Sequence, residues 1–148
     1  IAVIDYGIKN AIIENLKNID APLVLLPHTS SAKDVLDLNP RMIFLSNGPG
    51  DPRNYKEETK VVMELLKTDI PMRGICLGHQ LISLALGSEI IKLPFGQRGV
   101  NHPCFDTVSG EILITSQNHG YSVDEKSFLS IASENISKRT SGRKRSAE

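Results

Sequence analysis

The segment PMRGICLGHQLISLAL occupies residues 71–86 and decides the fold. Its first five residues predict a short buried strand, and residues 77–86 place apolar side chains at helical spacing up to Gly87. Between them, the pattern Gly-x-Cys-x-Gly around Cys76 is the thiol version of a nucleophile elbow. Such an elbow needs glycines because its turn is sharp and neighbouring backbone passes close to it. The segment therefore predicts a strand, an elbow and a helix, with Cys76 as a candidate nucleophile.

The alternation of short apolar runs with helical patterns continues on both sides of this segment. Strands are predicted over residues 1–5, 23–26, 41–46 and 71–75. Helices are predicted over residues 11–19, 30–38, 57–67 and 77–86. This order predicts an α/β fold with an open, mostly parallel sheet flanked by helices. Beyond Ser88, a short antiparallel extension is predicted from strands near residues 90–93, 107–108, 112–115 and 121–123.

The composition is that of an ordinary single domain. The chain has 148 residues, of which 40% are hydrophobic and 23% charged, with 17 basic and 17 acidic side chains. A chain of this length buries a core without disulfides, and its balanced charge argues against a cationic nucleic-acid or membrane surface. Two cysteines are too few for a disulfide framework, and the sequence has no run of 18 apolar residues. We therefore expect a reduced, cytoplasmic protein that binds neither nucleic acid nor membrane.

The two ends of the sequence differ from its middle. The chain begins at Ile1 inside an apolar strand, which we interpret as a fragment of a longer protein without a targeting peptide. Residues 137–148 carry five basic side chains and one acidic, which leaves 12 basic and 16 acidic, a net charge of −4, for residues 1–136. We expect residues 1–136 to form the domain and residues 137–148 to be a disordered basic tail. A nucleic-acid-binding arm is the alternative, although the tail lacks aromatic residues.

A second glycine-rich loop follows the strand predicted at residues 41–46. Residues 46–52 read Ser-Asn-Gly-Pro-Gly-Asp-Pro, and the two glycines let backbone N–H groups approach a ligand closely. Such donors stabilise the oxyanion that forms when a thiol attacks a carbonyl, and the helix N-terminus after Cys76 favours the attacking thiolate. The alternatives are a structural cysteine and an ordinary Gly-Pro turn. We interpret Cys104, which has no such context, as structural.

Five stretches of the sequence together carry a family resemblance. They are IAVIDYGIKNAIIENL (1–16), IFLSNGPGDP (43–52), GICLGHQ (74–80), FGQRGVNHP (95–103) and ITSQNHGYSVDE (114–125). In combination they resemble a class I glutamine amidotransferase domain, and more narrowly the small subunit of carbamoyl-phosphate synthetase. GICLGHQ alone fits several amidotransferases, so the combination is the more specific signal. The resemblance extends from Ile1 to about Glu125 and implies a flavodoxin-like amidotransferase fold.

The resemblance also implies a glutaminase mechanism and the residues that carry it. Cys76 attacks the side-chain amide of glutamine, a γ-glutamyl thioester forms, ammonia leaves, and water releases glutamate. The backbone N–H groups of Gly48 and Leu77 are the implied oxyanion hole. The implied contacts to glutamine come from Gly48, Gly50, Leu77, Gln80, Asn118, Gly120 and Tyr121. Ammonia is implied to pass to a large synthetase subunit that uses ATP, Mg²⁺ and bicarbonate, so we expect no cofactor in this chain.

The four histidines do not provide an obvious general base. We interpret His79, three residues after Cys76, as a packing residue and His119 as a support for the glutamine-binding loop. His102 precedes a proline in a predicted turn and is expected only to form hydrogen bonds. His28 follows a predicted strand and is expected to be solvated. Because no cysteines and histidines cluster at ligand spacing, we expect no metal site.

The sequence departs from the family at the general base. In the family this base is a histidine in a His-Pro-Glu segment, and no His-x-Glu occurs anywhere in the 148 residues. Gln97 stands where the family is expected to have a histidine. We therefore predict that this chain, as a C-terminally incomplete domain, hydrolyses glutamine very poorly. The alternatives are a non-catalytic glutamine-binding module and the amidotransferase partner of another synthase, and both pyrimidine and arginine biosynthesis fit the resemblance.

Overall fold

A computed structural model of the chain describes residues 1–133. The predicted domain end at residue 136 and the predicted tail over residues 137–148 lie outside the described residues. The first nine elements, in chain order, are β1 (Ala2–Asp5), α1 (Asn10–Lys17), β2 (Val24–Pro27), α2 (Ala32–Asp37), β3 (Ile43–Leu45), a 3₁₀ turn (Pro52–Asn54), α3 (Lys56–Leu65), β4 (Met72–Gly74) and α4 (Leu77–Ala85). They are followed by β5 (Ile90–Phe105), β6 (Ile112–Val123) and a last helix whose described part covers residues 125–133. The chain divides into a first unit, residues 1–90 and 123–133, and a second unit, residues 91–122.

The first unit is built on a four-stranded sheet in the order β2-β1-β3-β4. All three pairings are parallel, and Val3 of β1 stands between Leu25 of β2 and Phe44 of β3. Each connection between the strands contains a helix, as parallel neighbours require. The predicted α/β fold with a mostly parallel sheet is confirmed. In this order β2 and β3 lie on opposite sides of β1, so the strand order reverses between β1 and β3. Open α/β sheets bind ligands at such a switch point, at the carboxyl ends of the strands.

Apolar alternation along the strands separates two packed faces. Val3, Phe44 and Leu16 of α1 form one buried cluster. The other face carries a larger cluster, made of Ala2, Ile4, Tyr6, Ala32, Val35, Ile43, Leu45, Val62, Leu65, Leu77 and Leu81. Because neighbouring strand residues point to opposite faces, one short run such as residues 2–4 supplies both clusters. This packing fixes the ends of the strands, where the candidate site lies.

Local capping explains where two of the helices begin. Ser31 and Asp34 form a reciprocal capping box at the start of α2, in which each side chain accepts from the other residue's backbone N–H. The last helix begins after Asp124, whose carboxylate accepts from the Ser127 N–H at 2.8 Å. Glu89 joins that helix start to the body of the first unit, because its N–H donates to Ser127 Oγ and its carbonyl accepts from Asp124 N–H.

The second unit is one long hairpin, so the prediction of four short strands is wrong in detail. β5 and β6 pair with each other, and residues 107–108 lie in the turn between them. Asp106 closes that turn by accepting from Val108 N–H and from Ser109 Oγ, both at 2.9 Å. The prolines and glycines of β5 suggested strand ends in the sequence. A two-stranded ribbon tolerates them because each strand has a free edge.

None of the helices within residues 1–133 has the length and apolar character needed to span a bilayer.

Candidate active site at the carboxyl ends of the parallel strands

Cys76 lies on the turn between β4 and α4, as predicted. Its backbone angles are φ 51° and ψ −108°, and it is the residue that precedes the first turn of α4. A positive φ is unfavourable for a residue with a side chain, and a nucleophile elbow is one place where a fold imposes it. Cys76 is a half-buried free thiol. The strained turn therefore presents a partly accessible sulfur at the N-terminus of a helix.

Close backbone packing holds the elbow against the end of β3. The Gly78 N–H donates to the Ser46 carbonyl at 3.0 Å, and the Ile75 N–H donates to the Leu45 carbonyl at 3.1 Å. A Cβ at Gly78 would overlap the Leu45 carbonyl group. The sequence-based reason for the glycine, that neighbouring backbone passes close to the elbow, is confirmed at this position.

The Gly48–Gly50 loop lies beside the start of α4. A Cβ on Gly48 would be 2.5 Å from Leu77 Cδ2 and 2.7 Å from the Tyr6 carbonyl oxygen, so only glycine fits there. Leu77 is the residue after Cys76, and the first N–H groups of a helix have no partner within the helix. The loop of one strand and the elbow of the next are therefore neighbours, as the predicted oxyanion hole requires.

Two side chains of this loop bond the backbone that follows β1 and hold the loop in place. The Ser46 hydroxyl accepts from the Tyr6 N–H at 2.9 Å and donates to the Asn47 carbonyl at 2.8 Å. The Asn47 side chain accepts from the Lys9 N–H at 3.1 Å and donates to the Gly7 carbonyl at 2.8 Å. Three of these four hydrogen bonds connect the loops after β1 and β3, and the bond from Ser46 to Asn47 lies within the second loop. Ser46 and Asn47 belong to the loop motif recognised in the sequence, but the motif alone predicted no role for their side chains.

Tyr55 supports the loop from the start of α3. Its hydroxyl donates to the Pro49 carbonyl at 2.9 Å, and its ring packs edge-on against Tyr6 with ring centres 6.1 Å apart. Burial, followed by the nearby Glu58 carboxylate, raises the pKa of both tyrosines, so both hydroxyls remain protonated donors at neutral pH. The sequence missed Tyr55, because nothing local connects an aromatic residue at this position to the carbonyl of Pro49.

The remaining candidate glutamine-binding residues are divided between the two units. Gln80 is buried on α4, and its N–H donates to the Cys76 carbonyl at 3.0 Å. Asn118, Gly120 and Tyr121 lie on β6 in the second unit. The sequence Asn118-His119-Gly120 alone also fits a tight turn, but that interpretation is wrong, because these residues lie inside β6.

A chain of hydrogen bonds runs along the hairpin of the second unit. The Gln117 amide donates to Thr115 Oγ1 at 2.8 Å, and Gln117 Oε1 lies 3.0 Å from His119 Nε2. Thr115 Oγ1 also lies 3.2 Å from Cys104 Sγ and donates to the His102 carbonyl at 3.0 Å. We call these five residues the hairpin ladder. The bonds of Thr115 to Cys104 and His102 join β6 to β5, which agrees with a structural interpretation of Cys104. His119 bonds within β6, which agrees with a supporting role.

The other histidines have surroundings of their own. His102 lies within β5 rather than in the predicted turn. His28 follows β2 as expected, but it is not simply solvated, because its Nδ1 lies 3.0 Å from Glu58 Oε1. The His79 side chain lies on the exposed side of α4, but the atoms around it partly desolvate the imidazole and lower its pKa. Within residues 1–133, no three His, Cys, Asp or Glu side chains are grouped so as to hold a metal ion.

One known protein family matches the sequence of this chain, including the elbow and the glycine-rich loop. The family described as "Glutamine amidotransferase class-I" matches residues 2–145, nearly the whole chain. The chain belongs to this family. The match extends past Glu125, where the resemblance in the sequence was expected to end.

Two curated relatives of this amidotransferase chain have the same name. This chain is 44% identical over 128 residues to the carbamoyl phosphate synthase small chain of Thermotoga maritima, and the match covers 86% of this chain and 33% of the relative. It is 49% identical over 129 residues to the protein of the same name from Clostridium acetobutylicum, covering 87% and 36%. The chain thus spans about a third of the length of the curated relatives it matches.

Solved structures of amidotransferases share the fold. A glutamine amidotransferase from Thermotoga maritima has a TM-score of 0.61 at 20% identity, covering 84% of this chain and 62% of that one. A glutamine amido transferase from Methylobacillus flagellatus has a TM-score of 0.64 at 15% identity, covering 84% and 56%. At these identities the likeness establishes the α/β amidotransferase fold.

Proposed function

We propose that this amidotransferase chain is the glutaminase domain of a glutamine-hydrolysing carbamoyl-phosphate synthase small subunit. The observation that carries the proposal is Cys76 on a strained elbow beside the Gly48–Gly50 loop. The high identity to relatives named carbamoyl phosphate synthase small chain supports this choice among the synthases that amidotransferases serve.

In the proposed reaction, the Cys76 thiolate attacks the side-chain carbonyl carbon of glutamine. A carbon–sulfur bond forms, and the N–H groups of Gly48 and Leu77 stabilise the oxyanion. The carbon–nitrogen bond then breaks, and the leaving nitrogen takes a proton and departs as ammonia. Water hydrolyses the thioester to glutamate and regenerates the thiol. Gly50, Gln80, Asn118, Gly120 and Tyr121 are proposed to bind the substrate.

The proposed partner is a large synthetase subunit that receives the ammonia and uses ATP, Mg²⁺ and bicarbonate. No cofactor is assigned to this chain, because the chemistry of the thioester needs none. The proton transfers do need a general base that also acts as an acid. The 148 residues contain no His-x-Glu segment to supply it. His79 and His119 are not proposed for this role, since His79 lies on the elbow helix and His119 belongs to the hairpin ladder.

The test is the release of glutamate by the 148-residue chain and by a version extended through a His-x-Glu segment. We expect the extended version to be faster by about 10⁴-fold or more, since losing one member of such a triad has a cost of at least that order. Cys76→Ala in both versions is the control and should abolish the difference. Equal rates in the two versions, both above that of the Cys76→Ala control, would show that the base is already present in this chain.

A second candidate is a glutamine-binding module without catalysis. It predicts that glutamine binds to the chain, measured by calorimetry, while the extended version releases no glutamate. The same pair of proteins therefore separates the two functions.

A further inference from the structure

The Tyr55 ring has a fixed position at the start of α3. Tyr55 caps that helix, and its carbonyl accepts from the Thr59 hydroxyl at 2.6 Å and from the Thr59 N–H at 2.9 Å. The ring packs edge-on against Tyr6, which is buried in the larger core cluster. The hydroxyl that bonds the Pro49 carbonyl therefore comes from an anchored side chain.

The sequence of the loop that Tyr55 contacts is compatible with two backbone conformations. Pro49 is followed by Gly50 with φ +84°, the combination found in a type II turn. A type I turn over the same four residues differs by a flip of the Pro49–Gly50 peptide and places Gly50 near φ −90°. Glycine adopts both conformations readily, so the sequence of the loop does not choose between them.

The Tyr55 hydroxyl selects one of these states. It donates to the Pro49 carbonyl oxygen at 2.9 Å. Because the peptide is planar and trans, a carbonyl that faces Tyr55 sends the Gly50 N–H in the opposite direction. A flip of the peptide would break this bond and reverse the Gly50 N–H. The preceding N–H, that of Gly48, belongs to a different peptide, and the Gly48 Cα is packed so closely against Leu77 and Tyr6 that no Cβ would fit there.

We propose that Tyr55 is a positioning residue for glutamine binding, which holds the Pro49–Gly50 peptide so that the Gly50 N–H faces the substrate. The inference rests on the proposed function, in which Gly50 binds glutamine and Gly48 stabilises the oxyanion. Loss of the Tyr55 hydroxyl should therefore weaken glutamine binding and leave the chemical step at Cys76 nearly unchanged. A general loosening of the loop would instead disturb Gly48 and slow that step as well.

The test uses Tyr55→Phe in the full chain and a chloromethyl ketone analogue of L-glutamine that alkylates Cys76. The concentration dependence of alkylation gives a half-saturating concentration and a maximal rate, and neither needs the missing base. We expect the half-saturating concentration to rise about fivefold, the size of one net hydrogen bond. The maximal rate, and the rate of alkylation by iodoacetamide, should stay within about twofold of the original chain.

Two further variants make the test specific. Tyr6→Phe is the matched control, because it removes a hydroxyl from the adjoining ring and leaves the Tyr55 bond to Pro49 intact; its half-saturating concentration should not change. Gly50→Ala keeps Tyr55 but disfavours φ +84°, and the nearest atoms to the new Cβ are 4.0 Å away on Tyr55. It should raise the half-saturating concentration in the same way as Tyr55→Phe, even if the phenylalanine variant folds poorly.

The outcomes separate this inference from the proposed function. If the original chain shows no saturation and no preference for the L over the D analogue, the proposed glutaminase site is wrong. If the original chain saturates but Tyr55→Phe and Gly50→Ala behave like it, the positioning role of Tyr55 is wrong and the site remains. A fall in maximal rate and in iodoacetamide alkylation for Tyr55→Phe would also overturn it, since that pattern indicates a structural role.

Discussion

The two units of the chain differ in what stabilises each of them internally. In the first, strand residues such as Val3, Ile43 and Leu45 are completely buried, and helices cover the sheet. In residues 91–122 no residue is buried, and Phe95 and Ile114 are 86% and 68% exposed. A two-stranded hairpin has no core of its own, so side-chain hydrogen bonds such as the hairpin ladder contribute more to its shape. Substitutions should therefore act through steric overlap in the first unit and through lost bonds in the second.

The largest difference is expected at two glycines. Gly78→Ala should lower the free energy of unfolding by about 3 kcal/mol, because the new Cβ overlaps the Leu45 carbonyl and rigid backbone cannot move away. Gly120→Ala should change it by less than about 0.5 kcal/mol, because within the hairpin a Cβ there has no heavy atom within 4 Å. Urea denaturation of both variants measures the contrast. Similar losses at the two positions would mean that close packing does not distinguish the units.

The same contrast explains which parts of the fold were predictable. The apolar runs and helical spacings of residues 1–86 gave the correct strands and helices, because each element there buries a face against a common core. The elbow was predictable because its constraint is local, with a glycine on either side of Cys76 two residues away.

Prediction was weaker where contacts join residues distant in sequence. The hydrogen bond of the hairpin ladder between Thr115 and the His102 carbonyl joins residues 13 positions apart. No hydrophobic periodicity in the sequence predicts this bond. The prolines and glycines of β5 suggested short strands, although a ribbon with free edges accommodates them. In the candidate site itself, Cys76 on its elbow and the neighbouring glycine-rich loop were found from motifs. The hydroxyl of Tyr55 was missed because its partner, a backbone carbonyl, leaves no sequence signal.

The two cysteines, one in each unit, allow the units to be compared by the reactivity of their thiols. Cys76 lies on the strained elbow at the N-terminus of α4, whereas Cys104 Sγ lies within the hairpin ladder beside Thr115 and Gln117. Iodoacetamide should therefore modify Cys76 about tenfold faster than Cys104. Peptide mapping by mass spectrometry over a time course measures both rates in one sample. Cys76→Ala is the control for the slow reaction at Cys104, and faster modification of Cys104 would reverse the assignment of the nucleophile.

The smallest expected effect concerns two exposed carboxylates, one in each unit. Hydrogen bonds from Ser31 lower the pKa of Asp34 below its usual 3.8, and those from Val108 and Ser109 do the same for Asp106. A lowered pKa in the folded state means that the stabilising bonds are fully present above pH 3.8 and are lost as the pH falls through the folded pKa. Neither turn should therefore weaken on acidification from pH 7 to pH 5.

NMR can follow each carboxylate through the amide proton it binds. The Ser31 amide, 2.8 Å from Asp34 Oδ2, and the Val108 amide, 2.9 Å from Asp106 Oδ1, should each shift with a midpoint below pH 3.8. Asp106→Asn should remove the transition at Val108 and leave that at Ser31 unchanged, because the two turns belong to separate units. A Val108 midpoint at the ordinary value of an exposed aspartate would mean that the hairpin turn is open in solution. The hairpin would then depend on the ladder alone, which would sharpen the difference between the two units.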